Sequence, residues 1–198
     1  MKIKRSWIVL AVIIVIALVI YGSIKNTYNK MVQMEQNVEA QWSNVENVYQ
    51  RRADLIPNLV NTVKGYAEHE QETFQKVIEA RSKATSTNIN AENLSPEKLQ
   101  QFQQNQSALS SALSRLMVVV ERYPNLKANQ NFRDLQAQLE GTENRISVER
   151  RKFNEAARSY NTYINQFPQK IYSNIFDFEE KAYFEAQEGA EEAPNVEF

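Results

Sequence analysis

The chain has 198 residues, with 23 basic and 24 acidic side chains, four glycines, five prolines and no cysteine. Without cysteine, this sequence has no disulfide scaffold, thiolate metal site, cysteine nucleophile or lipid-modified cysteine anchor. The few glycines and prolines leave few positions for tight turns, so we expect a small number of long regular elements.

The formal net charge of −1 conceals an asymmetry along the chain. Lys2, Lys4 and Arg5 precede the first apolar segment, and the remainder has 20 basic and 24 acidic residues. Nucleic acid binding needs a basic face that displaces counterions. We therefore expect no nucleic acid partner.

The first predicted element is an apolar helix over residues 7–24, a range that contains no charged residue. Such a helix is about 27 Å long, close to the thickness of the hydrocarbon core of a bilayer. Trp7 and Tyr21 lie near its ends, where aromatic rings favour the membrane interface. The alternative is a cleaved signal peptide, but its apolar region would be shorter and the residues that follow here form a poor cleavage site. The pattern therefore predicts an uncleaved transmembrane signal anchor.

The charges on either side of the anchor predict its orientation. Three basic residues precede it within 1–6, whereas only Lys25 and Lys30 lie close after it. The positive-inside rule then places residues 1–6 in the cytoplasm and the rest of the chain outside. We expect a single-pass protein of the inner (cytoplasmic) membrane with an extracytoplasmic body.

Beyond the anchor, apolar residues recur with a helical period in four segments. The first two are predicted over 26–55 and 57–84. They are separated at Pro57, because proline lacks an N–H donor and disfavours the α conformation in the residue before it. The third is predicted over 96–121 and the fourth over 129–167.

The boundaries and the last segment support this division. Ser95 and Pro96 are typical of a capping residue and a first-turn proline, and Pro124 ends the third segment. The fourth segment has a continuous heptad seam that only Glu149 interrupts. The predicted fold is all-α, an N-terminal transmembrane helix followed by an antiparallel up-down four-helix bundle over 26–168.

Residues 169–198 are predicted to form an aromatic and then acidic C-terminal tail. In an up-down bundle the fourth helix returns towards the membrane, so the aromatic stretch 171–184 would lie near the bilayer. It would either plug the membrane-proximal end of the bundle or lie in the interface.

Several sequence motifs carry a family resemblance. They are RRADLIPNLV at 51–60, VKGYAEHE at 63–70, EAR at 79–81, ERYPNLKAN at 121–129, RRKFN at 150–154 and PNVEF at 194–198. Together they closely resemble the signature of the LemA family, and the resemblance extends over almost the whole chain from Tyr28 onward. It implies a bacterial, membrane-anchored helical bundle without an established enzymatic activity.

No catalytic, cofactor-binding or metal-binding residues are predicted. His69 is the only histidine and lacks the second histidine of a metalloprotease helix, so a structural role near a turn is the simpler interpretation. Glu68, Glu70 and Glu72 are too close in sequence to converge on one ion from a helix. No small-molecule substrate is evident.

Arg51, Arg52 and Asp54 form the densest polar cluster, beside the predicted turn at Pro57. Two arginines there would bind an acidic partner or a carboxylate in bidentate geometry. The alternative is structural, with the arginines pairing with helix-terminal carbonyls or with acids of a neighbouring helix such as Glu121 or Glu143.

Two further features are a pair of amides with a predicted structural role, not a binding site, and a C-terminal ending with a candidate binding role. Asn154 and Asn161 lie one heptad apart beside the seam, where amides fix register by demanding partners. Val196 and Phe198 form an apolar-x-aromatic ending of the kind that peptide-capturing domains bind by strand addition. The alternative for that ending is a disordered acidic tail, or a tail tucked along the bundle.

The function predicted from these features is that of a membrane-anchored, non-enzymatic interaction or scaffold protein of the bacterial cell envelope, with protein partners there. The first alternative is an envelope-stress or membrane-maintenance factor that contacts lipid, although an acidic body suits anionic lipid poorly. The second is an enzyme of unrecognised type.

Overall fold

A computed structural model describes residues 5–86 and 94–185 of the chain. These residues contain six α-helices and no β-strand. The helices are α1 (Arg5–Lys64), α2 (Gln71–Ser86), α3 (Pro96–Val120), α4 (Pro124–Lys127), α5 (Gln130–Asn165) and α6 (Gln169–Ile175). The all-α prediction is therefore confirmed.

Helix α1 contains both the predicted anchor and the first part of the packed body. It has 60 residues, which corresponds to about 90 Å. Within the described residues it is the one helix long and apolar enough to cross a membrane, and none of its most apolar 18-residue window is buried by the protein. The large apolar side chains from Trp7 to Tyr21 are all exposed. This N-terminal helix indicates a membrane-anchored protein.

The predicted helix break at Pro57 is wrong, because α1 continues through this proline to Lys64. A proline at position 57 cannot donate to the carbonyl four residues earlier, that of Ala53. In the structure, Arg81 Nε of α2 donates to that carbonyl at 2.7 Å. A side chain from the neighbouring helix thus replaces the missing hydrogen bond, and the turn between α1 and α2 comes only at residues 65–70.

Loss of this bond is expected to destabilise the protein. Arg81→Ala leaves a partly buried carbonyl without a donor, and we expect it to lower the free energy of unfolding by about 1–2 kcal/mol. In a Pro57→Ala background, the new N–H of residue 57 can donate to Ala53, so Arg81→Ala should cost less. A double-mutant cycle by denaturant unfolding measures this coupling. Equal costs of Arg81→Ala in both backgrounds would show that the arginine does not act by compensating for the proline.

The packed body has two apolar clusters, one above the other along α1. The cluster nearer the anchor includes Trp42, Phe102 and Phe153 together with Phe184, and no residue of α2 belongs to it in the described chain. The cluster farther from the anchor includes residues of α1, α2, α3 and α5, among them Leu59, Val77, Leu116 and Phe132. Helix α2 has only 16 residues, because residues 57–64 of the predicted second segment (57–84) belong to α1.

Helix α5 runs antiparallel to α1 and packs along it. Asn129, the N-cap of α5, donates to the hydroxyl of Tyr66, which lies in the turn just after the far end of α1. Phe153 packs edge-on against Trp42, with ring centroids 5.6 Å apart. The predicted seam is largely buried, including Phe132, Ile146 and Tyr160, because a heptad repeat keeps one stripe of α5 facing α1.

Of the residues after α5, those from 166 to 185 are part of the body. Asp177 has a φ of 56°, a left-handed conformation that aspartate tolerates better than most residues, and the chain reverses there after α6. Residues 178–185, which we call the strap, then run back along α5. Phe184 of the strap is buried and stacks on Trp42, with ring centroids 5.9 Å apart. In the part of the body nearer the anchor, the strap therefore supplies core contacts where α2 is absent.

A polar cleft between helices α3 and α5

A cleft of about 740 Å³ opens between α3 and α5, over the side of α1 that carries Arg52. Its α3 wall consists of uncharged polar side chains, namely Gln100, Gln103, Gln104, Gln106, Ser107, Ser110, Ser111 and Ser114. Glu143 and Arg150 of α5, Tyr49 of α1 and Glu185 of the strap complete the lining. The cleft thus combines many neutral donors and acceptors with a few charged groups.

The spacing of the polar residues on α3 explains this wall. Residues three and four apart share one face of a helix, and glutamines and serines recur at that spacing from Gln100 to Ser114. The opposite face of α3 supplies Leu109 and Leu116 to the core. One helix therefore presents an apolar face to the core and an uncharged polar face to the cleft.

Arg52 lies at the floor of the cleft and is only 2% exposed. One guanidinium nitrogen, Nη1, donates to Ser110 Oγ at 3.1 Å and to Glu143 Oε2 at 2.9 Å. The other, Nη2, donates to the side-chain oxygen of Gln106 and to its backbone carbonyl. Its Nε is buried without an acceptor. Arg52 therefore joins α1, α3 and α5 beneath the cleft and retains one unused donor.

Each of the two arginines of the cleft lies over one aromatic ring. The guanidinium of Arg52 lies 5.1 Å from the ring centroid of Tyr49, and that of Arg150 lies 4.7 Å from the ring centroid of Phe184. Burial raises the pKa of Tyr49, so its hydroxyl stays protonated at neutral pH. Both arginines are held in place by ring contacts of the cation–π type.

The strap enters the cleft at its anchor-proximal end. Arg150 Nη2 donates to the backbone carbonyl of Glu185 at 2.9 Å. With its amide turned to satisfy both neighbours, Gln103 accepts from Arg150 at 3.0 Å and from the Glu185 N–H at 3.1 Å. Side chains of α3 and α5 thus hold the backbone of one strap residue between them.

The structure separates the three residues of the predicted Arg51–Asp54 cluster. Arg52 points inward and pairs with Glu143, one of the two acids expected for a structural role. Arg51 and Asp54 are exposed, and Asp54 accepts from Gln50 on the same helix. The cluster lies within α1 and not at a turn, so the three residues do not form one surface. Partner binding by Arg51 and Asp54 stays a prediction.

Other predicted residues have clear positions. Val196 and Phe198 lie outside the described residues. His69 is exposed in the turn between α1 and α2. Across residues 5–86 and 94–185, no group of three or more histidine, aspartate or glutamate side chains is placed to hold a metal ion.

Asn154 and Asn161 have partners that the sequence did not indicate. Asn161 Nδ2 donates to the Lys181 carbonyl at 2.8 Å, and its Oδ1 accepts from the Lys181 N–H at 2.9 Å. Asn154 makes the same pair of bonds with Phe184, both at 2.9 Å. Each amide therefore binds the extended strap as a neighbouring strand would. The seven-residue spacing of the asparagines was the signal, because it places both on one face of α5.

A second exposed feature lies next to the anchor. Phe167, Ile171 and Ile175 are exposed apolar side chains spaced four residues apart around α6. Phe176 packs edge-on against Tyr28 of α1, with ring centroids 5.0 Å apart. Tyr28 is about 6 Å along α1 from Ile24, the last residue of the predicted anchor. We call Phe167, Ile171 and Ile175 the α6 apolar face.

Comparison with known proteins agrees with this structure. A sequence model of the LemA family matches residues 41–198. The magnetosome proteins MamQ 1 and MamQ 2 of Paramagnetospirillum magneticum are each 26% identical to the chain, over 91% of it and 72% of their own length. Protein LemA of Metamycoplasma hominis is 26% identical over 81% of the chain and 69% of its own length. None of these names denotes an enzyme. The family match covers most of the chain, and this protein belongs to the LemA family.

Proposed function

We propose that this protein is a membrane-anchored, non-enzymatic scaffold of the bacterial cell envelope that presents the cleft between α3 and α5 to protein partners. The observation that carries the proposal is the continuity of α1, in which the exposed apolar stretch and the packed body share one helix. A helix without a break between its two parts transmits the direction of the anchor to the body. The cleft would then be held at a fixed height and angle above the membrane.

The finer topology belongs to the same proposal. Residues 1–6 face the cytoplasm and the body lies outside the inner membrane, in the orientation that the basic residues before the anchor favour. The body is an up-down antiparallel bundle of the outer part of α1 with α2, α3 and α5. The antiparallel packing of α5 on α1 supports this arrangement. Removal of the apolar stretch as a signal peptide would cut the continuous helix α1, so this continuity favours an uncleaved anchor.

The chemistry of the cleft suits a protein segment better than a reactive substrate. Amide and hydroxyl groups of glutamine and serine can donate to and accept from a peptide backbone. Arg52 and Arg150 add positive charge, and Arg150 already binds a backbone carbonyl. We expect the partner to present an extended segment with at least one carboxylate.

The proposal is tested by photo-crosslinking in intact cells. A photoreactive residue at Ser111, which lines the cleft, should give discrete crosslinked protein products. The same residue at Ser159, which is exposed on α5 away from the cleft, is the matched control and should give none of them. Identical products from both positions, or none from Ser111, would contradict the proposed role of the cleft.

The second candidate function is contact with lipid, and the α6 apolar face is the observation that favours it. Exposed apolar side chains so close to the end of a membrane helix suit the interface, where such groups leave water without crossing the bilayer. One side of α6 is packed against the body, since Ser173 is buried and Tyr172 packs on the core. Under this proposal, one side of α6 plugs the end of the body nearer the membrane, and the other side lies in the membrane interface.

Spin labelling tests the contact with lipid. A label at Ile175→Cys, a residue that is 64% exposed, should be accessible to oxygen and protected from a polar nickel reagent in nanodiscs. A label at Val118→Cys, a residue that is 68% exposed at the far end of α3, should show the opposite preference. The chain has no other cysteine, so the signals are unambiguous. Equal access of the nickel reagent to both labels would rule out lipid contact at α6.

A further inference from the structure

A second groove, of about 330 Å³, lies between α2 and α3. Small side chains line most of it, namely Thr73 and Ala80 of α2 and Ala108, Ser111 and Ala112 of α3. From Thr73 to Ala80 the lining covers two helical turns, about 10.5 Å. We call this feature the α2/α3 groove. Its length and its small side chains leave room along two neighbouring helices for the side chains of a third.

Two contacts fix the register of the helices on either side of the groove. Just outside one end, Arg122 Nη2 pairs with Glu70 Oε1 at 2.8 Å. Towards the other end, Gln106 Nε2 donates to the backbone carbonyl of Ala84 at 3.2 Å. Helices α2 and α3 are therefore antiparallel, and these two contacts show which of their residues lie at the same height.

Both charged residues that line the α2/α3 groove, Lys76 and Arg115, are basic. Lys76 lies six residues after Glu70. Arg115 lies seven residues before Arg122, so the two basic residues are at about the same height. Lys76 also pairs with Glu72 one turn earlier, but the Glu72 side chain is 82% exposed, and surface pairs of this kind contribute little in water. The groove thus has positive charge on both sides near its middle.

The face of α3 beside the groove is poor in charge. From Leu99 to Val120 the sequence contains one charged residue, Arg115. Val118 follows Ser111 by seven residues on the same face of the helix and is 68% exposed. The centres of protein interfaces are depleted of charged residues and enriched in arginine. The composition of this face is therefore typical of a surface that another protein covers.

We propose that the α2/α3 groove binds an amphipathic helix of a partner protein, with apolar side chains in the groove and carboxylates beside Lys76 and Arg115. Small lining side chains allow a third helix to approach both helices at the usual packing distance of about 8–10 Å. Two turns of groove accept apolar side chains seven residues apart on one face of that helix. Carboxylates between them then accept charge-assisted hydrogen bonds from the two basic residues.

The charges of the groove also decide against a second copy of the chain as the occupant. Two copies anchored in one membrane would pair the same groove about a two-fold axis parallel to the helices. This symmetry keeps each residue at the same height in both copies, so Lys76 and Arg115 of each copy would meet as four cations around the axis. A partner helix with carboxylates has no such repulsion.

This site goes beyond the proposed role of the cleft, and the two can fail separately. Ser111 lines both the cleft and the α2/α3 groove, whereas Ser107 lines only the cleft and Ala108 only the groove. Crosslinks from Ser107 therefore report a partner in the cleft, and crosslinks from Ala108 report a partner in the groove.

The first test measures binding of two labelled helical peptides to the full-length protein in nanodiscs by fluorescence anisotropy. Both peptides have leucines seven residues apart, and the two positions midway between the leucines are glutamates in one peptide and lysines in the other. The glutamate peptide should bind at least about tenfold more tightly to the parent protein. The double variant Lys76→Glu/Arg115→Glu should reverse this preference, because the charges beside the groove are reversed.

A matched variant controls for net charge. Arg145→Glu/Arg158→Glu makes the same change at exposed positions of α5 and should keep the preference of the parent protein. Equal binding of the two peptides to the parent, or the same preference in both double variants, would overturn the proposal.

The second test uses photo-crosslinking in intact cells with a photoreactive residue at Ala108. It should give a product with another protein, and Lys76→Glu/Arg115→Glu should reduce the yield of this product at least about tenfold. Products from Ser107 should keep their yield in the same background. A product with the mass of two copies of the chain, a yield that ignores the charge reversal, or no product from Ala108 would each contradict binding of an acidic partner helix.

Discussion

Trp42→Ala is expected to lower the free energy of unfolding of the body by about 3–5 kcal/mol. Trp42 is 1% exposed and contacts the rings of Phe102, Phe153 and Phe184. Its removal opens a cavity that α1, α3, α5 and the strap all line, and it also removes the aromatic contacts. Chemical denaturation followed by circular dichroism in detergent measures the loss.

The other tryptophan of the chain provides the control for this prediction. Trp7 is 65% exposed within the apolar stretch of α1, so Trp7→Ala should change the stability of the body by less than about 0.5 kcal/mol. Trp42→Ala should also release the strap, because Phe184 loses the ring on which it stacks, and proteolysis near Lys181 should then accelerate. A loss below about 1 kcal/mol with unchanged proteolysis would show that the strap is not part of this core.

Arg52→Ala is expected to cost about 2–4 kcal/mol of stability. The substitution removes the hydrogen bonds from the guanidinium to Gln106, Ser110 and Glu143. It leaves the amide oxygen of Gln106, which is itself buried, without its donor. The side chain of Glu143 is 53% exposed and regains water, so we place the cost below that of a fully buried pair.

Arg51, the residue before Arg52, provides the control for this prediction. Arg51→Ala alters the same residue type on the exposed side of the same helix turn and should change stability by less than about 0.5 kcal/mol. Thermal unfolding of both variants with the parent protein measures the difference. Equal effects of the two substitutions would contradict the assignment of Arg52 as the residue that joins the three helices.

Features that depend on local sequence were predicted well. The charge-free stretch at 7–24 is helical, and its large apolar side chains from Trp7 to Tyr21 are exposed. Length and composition alone predict such a helix, because they meet the requirement of a bilayer. Ser95 caps α3, its hydroxyl accepting from the Lys98 N–H at 3.4 Å, and Pro96 occupies the first turn. The apolar seam of α5 is buried because its heptad period is sustained over the whole helix.

The continuity of α1 was not predictable from its own residues. Pro57 predicts a helix break, because the local sequence shows only that its backbone N–H donor is missing. The compensating donor, Arg81, comes from another helix and is separated by 28 residues from the carbonyl that it satisfies. The rule for a proline in a helix therefore failed because a tertiary contact overrides it.

The cleft and the strap were missed for a related reason. Functional sites are usually sought among charged or metal-binding residues. The α3 wall consists of glutamines and serines, so its sequence did not indicate a binding site. Asn154 and Asn161 were correctly expected to demand partners, but their partners are backbone groups of residues 181 and 184. A backbone has no sequence signature, and only the fold shows which segment lies opposite the two amides.

The most direct test of a body mounted on the membrane by one unbroken helix is a distance between the anchor and the body. Spin labels at Gly22→Cys, where an added side chain meets open space, and at Ser43→Cys, which is exposed, are 21 residues apart. A continuous helix predicts a single narrow distribution near about 32 Å in nanodiscs, measured by pulsed electron paramagnetic resonance. A broad distribution, or a second population at shorter distance, would reveal a hinge between anchor and body and contradict the proposed rigid mounting.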